Sequence, residues 1–191
     1  MINELGGLSQ PSLKASDTDW AIYLLNLAES LAKDVNELPP QPAMVAPGLF
    51  LGGLPEAQDV AALDSRRVDC VLNLAPAECG ASSSRGLPRH FSTKDIEAQD
   101  SLDYDLFGQD VANAFAFIER GLGEGRATLV HCFAGRNRSA TICAAWMVQR
   151  TRMPLVEAVK LLAEKRGLVL QNQTFLEGLV AMARDEDLLV A

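Results

Sequence analysis

Hydrophobic residues fall into two rhythms along the chain. Residues 1 to about 16 are polar and punctuated by Gly, Ser and Pro, which predicts a loose leading tail. In SDTDWAIYLLNLAESLAKDVNELPPQP, the residues Trp20, Leu24, Leu27, Leu31 and Val35 recur at spacings of three and four. Ser16, Asp17 or Thr18 can cap the start and Pro39 and Pro40 form a stop. This predicts one amphipathic helix of roughly 18 residues, at about 18–36. Its stripe packs on the domain's own surface or serves a partner or a second copy, and the pattern alone does not separate the two. From Met44 the rhythm shortens. GLFLGG, VDCVLNL and ATLVHC are apolar, β-branched runs bounded by Gly, Pro and Asp, as buried strands are. Between the last two, Val111, Phe115, Ile118 and Leu122 share a helical face closed by Gly123 and Gly125. Further helices are predicted from about Asn137 to Arg150, after Pro154 (Leu155, Ala158, Val159, Leu162), and around Phe175, Leu179 and Met182. Strands alternating with helices predict an α/β sheet with helices on its faces. ASSSRG at 81–86 reads as a loop.

The chain has 191 residues, enough for one domain and an appendage. Lys and Arg total 17 against 25 Asp and Glu, a formal charge of −8. A body of that sign is mismatched to nucleic acid and to anionic lipid, so a bound anion must sit in a local positive site. Cys70, Cys79, Cys132 and Cys143 include no CxxC pair, and His90 and His131 are the only histidines, which disfavours a zinc site and a disulfide framework. No basic-then-apolar leader and no run of about 18 apolar residues is present, so a soluble protein of the reducing cytoplasm is expected, with nuclear entry compatible.

The chemistry concentrates in HCFAGRNRSATIC, where the strand TLV runs into a helix of small residues. α/β folds place ligands at the ends of such strands. Phe133, Ala134, Gly135, Arg136 and Asn137 separate Cys132 from Arg138, a length that lets backbone N–H groups converge on an oxyanion at a helix N-terminus. Gly135 permits the tight turn. Arg138 brings a planar fork for two phosphate oxygens. Cys132, facing those donors, is in conditions that favour thiolate over thiol and becomes a nucleophile aimed at phosphorus. Ser139 can hydrogen-bond the sulfur and ease its departure in a second step, and His131 is expected to orient the loop.

The stretch resembles the His-Cys-x-x-Gly-x-x-Arg-Ser signature of cysteine-dependent phosphatases, and its Ser-Ala ending is similar to the dual-specificity branch. PGLFLGGLPEAQD with VDCVLNL looks like that family's opening segment, and RGLVLQNQTFLEGL like its closing one, with Arg166, Asn172 and Phe175 at the family's spacing. Asn137, where Ser is frequent, and Arg136, a second basic residue, depart from the commonest form at variable positions. The resemblance implies a central, mostly parallel twisted sheet of about five strands flanked by helices. It divides the chain into a tail and amphipathic helix (1–43), a catalytic domain (44–185) and a C-terminal tail (186–191).

Ester cleavage needs a proton on the leaving oxygen, and Asp95, Glu97, Asp100, Asp103 and Asp105 precede the central helix. The resemblance selects Asp100 as general acid, with Asp103 as fallback, and gives Asn172 a role in ordering the site. A solvated loop capping the next helix suits Asp103 and Asp105 better. The function implied is removal of phosphate from phosphotyrosine and phosphoserine/threonine in proteins through a cysteinyl-phosphate, with no metal and no cofactor. The expected partner is a phosphorylated protein; nucleic acid and membrane are not expected. An atypical lipid phosphatase acting on phosphatidylglycerophosphate or phosphoinositides is the rival enzyme, suggested by Arg136. A non-catalytic phosphopeptide binder is the rival of another class, disfavoured because Cys132 and Arg138 are both present. RNA 5′-phosphate and starch substrates are weaker still, for want of a basic face or of room for a carbohydrate module. Cys70 and Cys79 are candidates for a redox partner of Cys132, against the plainer expectation of buried, inert thiols.

Overall fold

The fold was obtained as a computed structural model, and the structure describes residues 8–32, 42–80 and 87–190. The expectations for Val35, for Pro39 and Pro40 and for the 81–86 loop lie outside the described residues.

In chain order the elements are α1 (Asp17–Leu31), β1 (Ala43–Ala46), β2 (Leu49–Gly52), α2 (Leu54–Gln58), α3 (Val60–Ser65), β3 (Val68–Asn73), α4 (Pro76–Cys79), β4 (Ser92–Asp95), α5 (Gln109–Gly123), β5 (Ala127–His131), α6 (Arg138–Thr151), α7 (Leu155–Arg166) and α8 (Gln173–Asp185). The strands form one sheet in the order β1-β2-β5-β3-β4. Only the β1–β2 pair is antiparallel; the other three pairs are parallel. The expected α/β architecture, five strands with helices on the faces, is therefore the observed one. Two strands escaped the pattern reading. β4 reads Ser-Thr-Lys-Asp with mostly exposed side chains, because it is an edge strand with one neighbour, and β1 is four residues broken by a register shift.

Strand β5 lies in the middle with parallel partners on both sides, so its apolar run is buried on both faces. Its last residue, His131, is in register with Gly52 of β2 and Asn73 of β3. The three strands thus stop together, and the loop that follows β5 emerges over a flat carboxyl edge. Helix α6 is buried continuously from Arg138 to Val148, which its Ala, Ser, Thr and Cys residues permit by keeping the helix thin. A left-handed residue, Arg152, caps it just before Pro154. Helix α5 buries Val111, Phe115 and Ile118 as the spacing predicts. It comes close enough to the sheet at Gly121 that a Cβ there would meet the Thr128 hydroxyl at 2.9 Å and the Cys70 sulfur at 3.0 Å.

The leading helix starts on a capping box: the Asp19 amide donates to the Ser16 hydroxyl and the Ser16 amide to the Asp19 carboxylate. Its stripe of Trp20, Leu24 and Leu27 is buried against α7 and α8 and belongs to the main core. Each such side chain contributes about 1.5–3 kcal/mol by burial. Arg184 of α8 ties the approach to this helix down, reaching Asp17 and the carbonyls of Leu13 and Ala15. At the other end of the chain, the amides of Leu155 and Val156 donate to the carbonyls of Leu188 and Leu189, and Leu189 is buried. No helix among the described residues is long and apolar enough to cross a membrane.

Candidate active site

Residues 132–137 turn from the end of β5 into α6, and the loop is held by its neighbours rather than by itself. The Leu54 amide donates to the Phe133 carbonyl at 2.9 Å, and the Leu170 amide to the Arg136 carbonyl at 2.9 Å. Arg166 pairs with Glu56 and reaches the Ala134 carbonyl at 3.4 Å, while Glu56 accepts from the Gly53 amide at 2.8 Å. Burial would raise the Glu56 carboxyl, but Arg166 and the Gly53 amide outweigh it and hold the group below the usual carboxylate range. Gly135 has φ +70°, and a Cβ there would lie 2.6 Å from the carbonyl carbon and oxygen of Gly52. Only glycine fits that approach. Among the described residues the amides of 133–136 have no protein acceptor, so they remain open to an oxyanion.

Cys132 is buried, with its sulfur 3.2 Å from the Ser139 hydroxyl. Ser139 sits in the first turn of α6, so the helix itself sets that pairing. His131 is fully buried, and its Nδ1–H donates to the Cys132 carbonyl at 3.2 Å. Burial pulls its pKa down to about 4, so the ring is neutral and holds the loop instead of acting as a charged group. Arg138 is almost entirely enclosed. Its Nη1 and Nη2 donate to the two oxygens of Glu78 at 2.5 and 3.0 Å, and Nη1 also to the Ala98 carbonyl at 3.0 Å. Nε is buried without a partner among the described residues. The guanidinium is thus clamped through Nη1 and Nη2 and keeps Nε as donor capacity for an anion. The hydrogen bond from Arg138 lowers the Glu78 pKa, outweighing burial.

Asp100 lines the same cleft as the thiol. It accepts from the Asn137 amide at 3.0 and 3.3 Å and from the Asn172 amide at 3.0 Å. Asn137 also accepts from the Gln171 amide at 2.8 Å, and Asn172 caps α8 through the Phe175 amide. One polar chain therefore links the 100–101 loop, the 132–138 loop and the segment before α8. Cys132, Phe133, Ala134, Arg136, Asn137, Arg138, Asp100 and Glu78 line a single cleft of about 320 Å³. Gly135 backs the loop away from it, and His131, Ser139 and Asn172 act from behind. The sequence fallback Asp103 lines a different cleft, and Asp105 caps the turn through the amides of Phe107 and Gly108.

Glu78 was not legible in the chain: it lies 60 residues from Arg138, and only the alignment of β3 with β5 joins them. The sequence signal available was a carboxylate one turn past a strand that ends level with the site. Cys70, Cys79 and Cys143 are buried and unbridged. Burial pushes the thiols of Cys70 and Cys143 up, and that of Cys79 up to about 11, which keeps them protonated near neutral pH. Among the described residues no group of three or more His, Cys, Asp or Glu is placed to hold a metal.

A thiol at the end of a central parallel strand, in a glycine-pinned loop closed by a helical arginine, defines the cysteine-dependent phosphatase class. The family model for the dual specificity phosphatase catalytic domain matches residues 49–185. The chain belongs to the dual specificity phosphatase family. It is 33% identical to human dual specificity protein phosphatase 2 over 135 residues, covering 71% of this chain and 41% of that protein. It is 36% identical to dual specificity protein phosphatase 26 of Bos taurus over 146 residues, covering 73% of this chain and 66% of that protein. Among solved structures, human DUSP28 superposes with a TM-score of 0.69 at 24% identity, over 78% of this chain and 97% of that one. The chain spans 42% and 41% of the mouse and human forms of dual specificity protein phosphatase 2. Both sequence relatives are named as protein phosphatases.

Proposed function

We propose that the chain is a protein phosphatase that removes phosphate from phosphotyrosine and from phosphoserine or phosphothreonine. The observation that carries this reading is one cleft lined by Cys132, by Asp100 and by a clamped Arg138 whose Nε has no partner among the described residues. The loop amides and Arg138 hold the three non-bridging phosphoryl oxygens and stabilise the charge that spreads over them as the P–O bond breaks. The Cys132 thiolate attacks phosphorus, forming the S–P bond, and Asp100 gives its proton to the departing hydroxyl. Water then attacks the cysteinyl-phosphate while the Asp100 carboxylate takes its proton. The S–P bond breaks with the electron pair going to sulfur, which Ser139 stabilises by hydrogen bonding, and inorganic phosphate leaves. Asn137 and Asn172 position Asp100; Glu78 positions Arg138. The thiol must stay free, which suits a reducing compartment such as the cytoplasm.

Phosphate release from p-nitrophenyl phosphate and from phosphotyrosine and phosphothreonine peptides tests the reading. Wild type should turn over all three and Cys132→Ser none. A wild type no faster than Cys132→Ser would reject catalysis and leave a phosphate-binding module.

A further inference from the structure

A second cleft of about 460 Å³ lies between residues 102–107 and α8. It shares a wall with the catalytic cleft, since Asp100 lines one and Leu102 the other, with only Ser101 between them. We propose that this cleft docks the phosphoprotein substrate, taking a lysine or arginine beside an apolar residue roughly two to five positions from the phosphorylated one, given about 3.3 Å per extended residue. The proposal rests on the phosphatase reading and names the substrate class that reading leaves open.

The floor is apolar, built from Leu106, Phe107 and Phe175, and Leu102 stands on the wall 66% exposed. Phe107 packs directly on the α8 backbone: a Cβ on Gly178 would lie 2.3 Å from its ring. Around this floor the charged lining is all acidic, Asp17, Asp103, Asp105 and Glu177, apart from Arg184 nearby, which pairs with Asp17 at 3.0 Å. The rest have no cationic partner among the described residues. Asp105 accepts from backbone amides, and Glu177 from the Thr18 hydroxyl and the Gln173 amide, all neutral donors. Such a site fits a side chain with an aliphatic stem and a cationic head, the stem over apolar surface and the head among carboxylates. An acidic segment would meet like charge.

The wall is also preformed. Tyr104 donates its hydroxyl toward the Glu97 carbonyl at 3.1 Å and Asp110 at 2.5 Å, Thr174 donates to the Leu102 carbonyl at 2.8 Å, and Asn172 to that of Ser101 at 3.2 Å. A braced wall lowers the ordering cost of docking.

The test uses the full chain and matched phosphotyrosine peptides carrying Lys-Leu or Glu-Leu on either side of the phosphorylated residue. At low salt, kcat/KM should favour the lysine peptide by about three- to tenfold, a preference that shrinks as salt rises. Fluorescence anisotropy with Cys132→Ser should show the same ranking in Kd. Glu177→Lys and Leu102→Ala should each reduce the preference while leaving p-nitrophenyl phosphate turnover within about twofold of wild type. Equal kcat/KM for the two peptides, or a preference that survives both variants, would overturn the proposal. If wild type fails on p-nitrophenyl phosphate, the catalytic reading fails, and the anisotropy ranking still decides the docking surface on its own.

Discussion

Gly135→Ala isolates how tightly the 132–137 loop is gauged against the β2–α2 turn. Its φ of +70° already strains any residue with a Cβ, at about 1–2 kcal/mol. Gly125, in the turn before β5, has nearly the same φ, +72°, but a Cβ there meets nothing within 4 Å. At Gly135 the added carbon would lie 2.6 Å from the Gly52 carbonyl and 2.7 Å from the Gly53 nitrogen. That is roughly 0.8 Å inside ordinary contact between non-bonded atoms. The obstacle is backbone on both sides, so the loop must lift off the turn, breaking the Leu54 amide to Phe133 carbonyl bond and carrying the donors away from the sulfur. A displacement of this size at a reacting centre costs about 10²-fold in rate. Both variants should lose a few degrees of Tm, at about 2–4 °C per kcal/mol for a chain of this length. Only Gly135→Ala should lose about a hundredfold in kcat/KM on p-nitrophenyl phosphate. If it retains turnover within threefold of Gly125→Ala, the loop is not registered against Gly52 and the steric argument fails.

Asp100→Asn should depress turnover of phosphothreonine peptide by about 10²–10⁴-fold and p-nitrophenyl phosphate far less, because only the poor leaving group needs the proton. Equal losses on the two substrates would assign the proton elsewhere. Glu78→Ala should lower kcat about tenfold or more and also lower Tm, because it leaves the enclosed Arg138 without its carboxylate; in an Arg138→Lys background it should cost no further kcat, and additive losses would show that Glu78 does not act through Arg138. His131 is neutral when folded, with its pKa pulled down to about 4 by burial, whereas the unfolded chain binds that proton near pH 6.5. Stability is then complete above 6.5 and declines as pH falls toward 4, by about 2 kcal/mol between pH 7.5 and 5 in urea unfolding, and His131→Gln should flatten the slope. Leu24→Ala, in the fully buried stripe of α1, should cost about 2–5 kcal/mol; an unchanged Tm would make that helix a dispensable appendage.

The parts of this molecule that could be read from the chain are those whose signal is contiguous. The strand, loop and helix from Thr128 to Thr151 occupy consecutive residues, so a short motif contains both the geometry and its chemistry. The face of α5 was equally plain, because periodicity reports burial directly. Helix α1 was visible as a helix, but its stripe is compatible with several partners, and only the packing of Trp20 and Leu24 on α7 and α8 shows what covers it. Strand β4 was invisible because an edge strand with polar faces carries no hydrophobic alternation. Asp100 could be chosen among five carboxylates only through resemblance; in space it is distinguished by the two asparagine amides that hold it. Glu78 and the Glu56–Arg166 pair depend on contacts 60 and 110 residues apart along the chain, which no local pattern encodes.

Helix α6 has no solvent face from Arg138 to Val148, and this bears on how such a protein can change. Any substitution along those residues perturbs the core and the arginine in one stroke, so stability and turnover are not separately adjustable there. Variation that alters what the cleft accepts must instead enter through parts of its rim that carry little of the core: Phe133, half exposed, Arg136, and the loop from Leu102 to Asp105. A saturation library scored independently for abundance and for activity should show the two scores falling together along α6 and parting company at these rim positions.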